Sequence, residues 1–252
     1  MILSYLILAA AAFAAGIINS IAGGGSFLVF PALMMTGLDP RAANIASTLA
    51  LYPMQVSTGF TGRKMAGGTP HLSFKALLIL SLVGGIIGAV LLLLTPPSYF
   101  ARLVPWLILF ATGVFAWGSF RKRLVPANPK HPDRLGKIGA AITQFFISLY
   151  GGYFGGGIGL LMLAALSLAG MNIRQAATTK NILAAVMNTS AVGVFMLMPQ
   201  VHWFRISIVA IGAIAGGLIG VRLIDTLNER WLRIAVVAIG LALTIAMFVK
   251  AY

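Results

Sequence analysis

The sequence contains no cysteine, which excludes disulfides, thiolate nucleophiles and thiolate metal ligands at the outset. Acids are almost as scarce. Asp39, Asp133, Asp225 and Glu229 are the only carboxylate side chains, and His71, His131 and His202 the only histidines, in 252 residues. All seven fall between the apolar runs described below. So small a set, kept out of those runs, leaves little for acid–base catalysis or a metal site, and neither an enzyme nor a bound cofactor or metal is expected. Charge of either sign is thin, at 9% of residues, where a soluble surface is dressed by roughly 25%.

What is abundant is apolar. Hydrophobic residues make up 60% of the chain and the mean hydropathy is +0.98. Such a chain cannot keep a polar shell in water, and an all-α integral membrane protein is expected. The net charge of +14 would suggest nucleic acid in a soluble protein. Here basic residues are expected to flank membrane spans and fix their orientation, with lipid and not nucleic acid as the partner.

Apolar runs cover residues 2–22, 27–38, 74–94 and 99–120, with a polar-spotted helix-like stretch at 41–60. No Lys or Arg precedes the first run, so it lacks the basic start of a signal peptide. A hydrophilic stretch at 121–137, carrying Pro126, Pro129 and Pro132, reads as a loop. The pattern then recurs as runs at 138–154, 158–171, 173–197, 204–224 and 231–249. Residues 23–25 and 155–157 are both Gly-Gly-Gly, at a shift of 132. Gly84-Gly85-Ile86-Ile87-Gly88 matches Gly216-Gly217-Leu218-Ile219-Gly220 at the same shift, and Gly37, Arg41 and Ala43 match Gly170, Arg174 and Ala176 at 133. The chain therefore reads as a duplication: a first membrane repeat at 1–120, a basic cytoplasmic loop at 121–137 and a second repeat at 138–252. The glycine pairs of the second match have the small-xxx-small spacing of closely packed helices.

With 121–137 in the cytoplasm, twelve basic residues fall inside and Arg102, Arg205 and Lys250 outside, which places both termini outside. Each unit then crosses an odd number of times, so the two copies run antiparallel. Inverted-topology repeats of this kind are a transporter plan with the substrate site near the midplane.

Each triple glycine (Gly23, Gly24, Gly25 and Gly155, Gly156, Gly157) ends a long run and starts one of about 13 residues, which spans about 20 Å against a core of roughly 30 Å. The short run and its polar successor therefore form a helix–turn–helix hairpin. Bare glycine amides let a ligand approach, although a hinge or close packing would use the same residues. The polar residues of the first hairpin region are Asn19, Ser20, Ser26, Asn44, Ser47, Thr48 and Gln55; those of the second are Thr178, Thr179, Lys180, Asn181, Asn188, Thr189 and Ser190. Thr178 to Asn181 supply hydroxyl, ammonium and amide donors within one helical turn, close to a helix N-terminus, which suits an anion. Lys180 is costly in a membrane unless it faces a cavity or partner, or reaches back to the interface. Arg41 and Arg174, about a turn earlier, serve equally as interface anchors or hairpin-tip caps. Donors at depth without acids point to an anionic substrate.

The run Asn19-Ser20-Ile21-Ala22-Gly23-Gly24-Gly25-Ser26, then Pro31 and Ala43-Asn44, together with Gly155-Gly156-Gly157 and Ala177-Thr178-Thr179-Lys180-Asn181, resembles the sulfite exporter TauE/SafE family of membrane permeases. The resemblance covers nearly the whole chain. It implies export of sulfite or a short organosulfonate such as sulfoacetate, paired hairpins lining the substrate site, and a bacterial-type inner membrane. Import or exchange of a related anion, and a non-transporting membrane scaffold, are the alternatives, and a homodimer is left open.

Overall fold

The structure is a computed structural model that describes residues 2–21, 25–61, 63–120, 136–171, 173–198, 201–223 and 229–251. These residues form ten α-helices and no strand. They are α1 (Ile2–Ile21), α2 (Ser26–Met35), α3 (Pro40–Thr61), α4 (Phe74–Leu94), α5 (Pro97–Phe120), α6 (Gly136–Tyr153), α7 (Ile158–Leu168), α8 (Ile173–Phe195), α9 (Trp203–Leu223) and α10 (Glu229–Ala251). A short 3₁₀ turn, Arg63–Met65, lies between α3 and α4. The order long, short, long, long, long occurs twice. Expected boundaries move by a few residues: α2 and α7 stop early because the turns into α3 and α8 take up the ends of their runs, and α6 absorbs Gly136 and Lys137 from the expected loop. The rest of that loop, with Asp133 and His131, and also Asp225, lies outside the described residues.

Local chemistry sets several ends. Asp39 caps α3, its Oδ1 accepting the N–H groups of Arg41 at 2.9 Å and Ala42 at 3.2 Å. The Ser73 hydroxyl accepts the Ala76 N–H at the start of α4. Gly37 and Gly170, which follow α2 and α7, both have φ 90°, where a Cβ is disfavoured.

The helices are apolar outward as well as inward. Ile79, Leu94, Trp106, Ile211, Leu218 and Val249 are all exposed, a surface that water would reject and lipid accepts. By length and composition α4 and the Pro97–Val114 part of α5 can each cross a membrane.

Interior contacts cross between the halves. The two most extensive pairings are α1 with α9 and α4 with α6. Small residues make both possible. A Cβ on Gly216 would run into the Phe13 carbonyl of α1, and one on Gly88 into the Leu149 carbonyl of α6. Gly84, Gly88 and Gly216 thus pack as their spacing indicates. Both pairs are parallel, since numbers rise together from Tyr5–Phe204 to Gly16–Gly217, and from Ser81–Gln144 to Gly88–Tyr153. In contrast, α5 and α10 are antiparallel, with Trp106 on Phe248 and Thr112 on Gly240. Two buried apolar clusters form, one including Phe30, Leu33 and Ala43 of the α2–α3 hairpin, the other Met162, Leu166 and Ala176 of the α7–α8 hairpin.

Candidate substrate site

Both hairpins expected from the short runs are present: α2 packs on α3 and α7 on α8. Gly25 sits against the last turns of α1, where a Cβ would stand 2.8 Å from the Ala15 carbonyl and 3.1 Å from the Asn19 Cβ. Gly23 and Gly24 lie outside the described residues. Gly155 and Gly157 adopt φ 78° and 74°, the left-handed region that favours glycine. The second link is held to α6, because the Tyr150 hydroxyl donates to the Gly156 carbonyl at 3.0 Å.

Ser26, Asn44, Ser47 and Gly156 line one small cavity, walled by Phe27, Phe30, Ile108, Phe154 and Leu243. It draws on both halves of the chain. Asn44 joins them directly, its Nδ2 donating to the Tyr153 carbonyl at 3.0 Å. Thr48 turns its hydroxyl onto the Asn44 carbonyl at 3.1 Å. Among the described residues Ser26 and Ser47 have no hydrogen-bond partner and face the cavity.

The second cluster lies on α8. Lys180 starts seven residues into that helix, about 10 Å from its first residue at 1.5 Å per residue. Its ammonium lies toward Gly159, near the start of α7, where a Cβ would stand 3.7 Å from Nζ. The head group thus sits beside the end of α7 remote from the hairpin turn; a snorkelling lysine would reach for the turn. No carboxylate or hydrogen-bond partner meets Lys180 among the described residues, and the neighbouring Asn181 amide is equally free. Thr178 donates to the Gln175 carbonyl at 3.0 Å. Thr179, fully buried, is engaged elsewhere: its hydroxyl accepts the Gly67 N–H at 3.1 Å and donates to the Gly67 carbonyl at 3.4 Å.

Where α3 meets α8, Gln55 bonds Asn188, and the Tyr52 and Thr189 hydroxyls meet at 2.9 Å. Gln55 and Asn188 are 133 positions apart, the shift that relates Gly37 to Gly170. Ser190 donates to the Met187 carbonyl one turn back, at 2.6 Å. Arg41 donates from one guanidinium nitrogen to the Leu93 and Thr95 carbonyls, at 3.3 and 3.0 Å. It ties the α2–α3 tip to the end of α4, a capping role; Arg174 lies in the first turn of α8.

Sequence reasoning passed over Tyr52, Tyr153 and Gln144. Gln144 donates to Ser81 at 2.8 Å and Ser148 at 3.2 Å, all three buried between α4 and α6. The available signal was an amide standing at depth inside an apolar run.

Comparison with known proteins covers the same ground. The family model described as "Sulfite exporter TauE/SafE" matches residues 8–247. The chain is similar to a "Probable membrane transporter protein" of Haemophilus influenzae, 29% identical over 237 residues, 93% of this chain and 91% of the relative. It is also similar to the "Probable membrane transporter protein ORF9" of Sinorhizobium sp, 26% identical over 94% of this chain and 89% of the relative. A third similar protein is the "Probable membrane transporter protein YfcA" of Escherichia coli K12, 26% identical over 90% of this chain and 82% of the relative.

Proposed function

Since the chain belongs to the sulfite exporter TauE/SafE family of membrane transporters, we propose that it exports a small anion, either sulfite or a short organosulfonate such as sulfoacetate. The observation that carries this reading is Lys180: a half-buried ammonium beside Asn181, facing the start of α7, with no carboxylate to neutralise it among the described residues. An ammonium so placed stabilises an anion by a charge-assisted bond. The Ser26–Asn44–Ser47 cavity, which Gly156 also lines, is the neutral polar part of the path.

The halves 1–120 and 138–252 act as inverted repeats in a multi-pass protein of the inner membrane, with both termini extracytoplasmic. Three observations support the inverted repeat. Equivalent helices α5 and α10 run antiparallel where they touch. The α1–α9 pairing has its counterpart in α6–α4. Gln55 and Asn188, equivalent positions, bond each other, as residues beside a two-fold axis must.

Export needs no proton site. Moving a monoanion out of a negative-inside cell gains about 2.3 kcal/mol per 100 mV, which sustains an outward gradient of about 50-fold. The test is flux in proteoliposomes under an imposed potential, with labelled sulfite, sulfoacetate, thiosulfate and lactate. Potential-dependent flux of sulfite or sulfoacetate is expected. Preference for lactate would overturn the sulfur-anion assignment, and no flux of any anion would leave the scaffold reading standing.

A further inference from the structure

One residue holds the link from α6 to α7 at both ends. The Tyr150 carbonyl accepts the Phe154 and Gly155 N–H groups at 2.8 and 3.3 Å, and the Tyr150 hydroxyl donates to the Gly156 carbonyl at 3.0 Å. Phe110 and Phe154 pack edge-on against the Tyr150 ring, which fixes the hydroxyl. A trans peptide points its N–H opposite to its C=O, so the Gly157 N–H faces away from Tyr150. Gly157 is left-handed and Ile158 helical, a pairing that turns successive N–H groups to one side as an anion-binding concavity. No side chain caps α7, and the Gly157, Ile158 and Gly159 N–H groups have no hydrogen-bond partner among the described residues. Lys180 stands at this end of α7, its Nζ 3.7 Å from where a Gly159 Cβ would be. A helix start carries partial positive charge, so an ammonium beside it is repelled. With no carboxylate there among the described residues, an anion is what turns the pair attractive. The matched positions of the first hairpin come together in the same way. Ser26 and Ser47 stand 133 positions before Gly159 and Lys180, and both line the cavity that Gly156 also lines. Ser47, 4% exposed, turns a hydroxyl without a partner among the described residues into that cavity. The serine cavity and the ammonium thus adjoin opposite ends of the link 156–159, which reaches at most about 11 Å.

We infer that the first-turn amides of α7 join Lys180 in a cradle for a three-oxygen head, that of sulfite or a sulfonate, and that Tyr150 is the positioning residue that sets it. This rests on Lys180 being the anion contact. Three N–H groups and one ammonium give every oxygen of such a head a donor. A carboxylate has one oxygen fewer and leaves an amide unmet, and a buried N–H without an acceptor is costly. The cradle therefore selects by head group, and the serine hydroxyls at the Gly156 end remain the neutral part of the path.

Two variants separate the cradle from plain packing, read by sulfite flux over a concentration series in proteoliposomes, normalised to folded protein, and by thermal unfolding. Gly159→Ala sets a methyl beside the ammonium at an ordinary contact distance, and alanine suits a helix better than glycine. Its melting temperature should hold or rise, while half-saturation for sulfite rises about tenfold or more, the worth of a charge-assisted bond. Tyr150→Phe keeps the ring and frees the Gly156 carbonyl. Unlabelled methanesulfonate and acetate, a matched pair with three and two oxygens, are compared as competitors of sulfite flux. The parent's preference for methanesulfonate should fall roughly two- to tenfold in Tyr150→Phe, the worth of a net hydrogen bond. A tyrosine that only packs would weaken both competitors alike. A parent that takes acetate equally well would overturn the three-oxygen head. Unaltered half-saturation in Gly159→Ala, with Lys180→Gln weakened in the same assay, would overturn the cradle and keep Lys180 as the contact. Unaltered half-saturation in both would overturn the Lys180 reading as well. If Gly159→Ala weakens sulfite and Tyr150→Phe keeps the parent's preference, the amides stand and the positioning role of Tyr150 falls.

Discussion

Replacing Lys180 with glutamine removes one charge and keeps a donor on a side chain of similar reach. The structure sets the size of the effect. The ammonium has no carboxylate partner among the described residues, so no ion pair is broken and no buried acid is stranded by the change. Gly159 leaves the neighbourhood open, and the amide of glutamine fits where the ammonium was. The loss in anion affinity is therefore the charge-assisted part of one hydrogen bond, about 1.5–3 kcal/mol. At 1.4 kcal/mol per decade this weakens half-saturation by about one to two orders of magnitude. Folded protein should not fall, because an unpaired charge at this depth is a burden on the fold that its removal relieves. The assay is anion flux over a concentration series in proteoliposomes, normalised to folded protein recovered by size exclusion. Lys180→Arg keeps the charge and should retain part of the affinity, limited by the larger planar head. Unaltered half-saturation in Lys180→Gln, with folded protein unchanged, would refute the reasoning, since a lysine that only anchors the helix predicts that result.

Gly88→Ala should lower recovered, folded protein and its melting temperature, because the added methyl overlaps the Leu149 carbonyl and pushes α4 off α6 at about 1–3 kcal/mol; Gly113→Ala, which meets nothing within 4 Å, should be neutral in the same melt. Gln55→Leu leaves the buried Asn188 amide without its partner and should destabilise by about 1–3 kcal/mol, with the Gln55→Leu/Asn188→Leu double variant recovering part of the loss in thermal unfolding. Single cysteines at positions 4, 127 and 251 should react with an impermeant thiol reagent in intact cells at 4 and 251 only; reaction at 127 would reverse the orientation.

Periodicity in run length carried most of the helix pattern, because a spanning helix must be long, apolar and unbroken. The ends of α4 coincide with its run, since Ser73 and the polar turn at Thr95 stop it on both sides. The end of α2 was not legible, because Thr36 to Leu38 are apolar or neutral and only the left-handed Gly37 turns the chain. Of the candidate site, Ser26, Asn44, Ser47 and Gly156 come together because the α2–α3 hairpin meets the second glycine link. The partner of Thr179 was hidden. Gly67 is an unremarkable loop glycine in sequence, and its role depends on the fold bringing the 66–72 segment over α8. Residue type announces a donor; it does not say which acceptor reaches it first.

The parallel α1–α9 pairing has a consequence for synthesis. The face of α1 carrying Phe13 and Gly16 waits for Gly216 and Gly217 of α9, and α9 begins only at Trp203. At roughly 5–20 residues per second, α1 stands in the membrane for about ten to forty seconds before its partner is made. The α4–α6 pair closes much earlier. The ribosome therefore delivers a half-finished bundle whose first helix has an unfilled groove, and the insertion machinery or a transient lipid must occupy it. Cutting the gene at the 121–135 segment would give two fragments, the first holding α1 and α4 without their partners α9 and α6, the second holding α6 and α9 without α4 and α1. They are expected to reach the membrane as a stable protein only when expressed together.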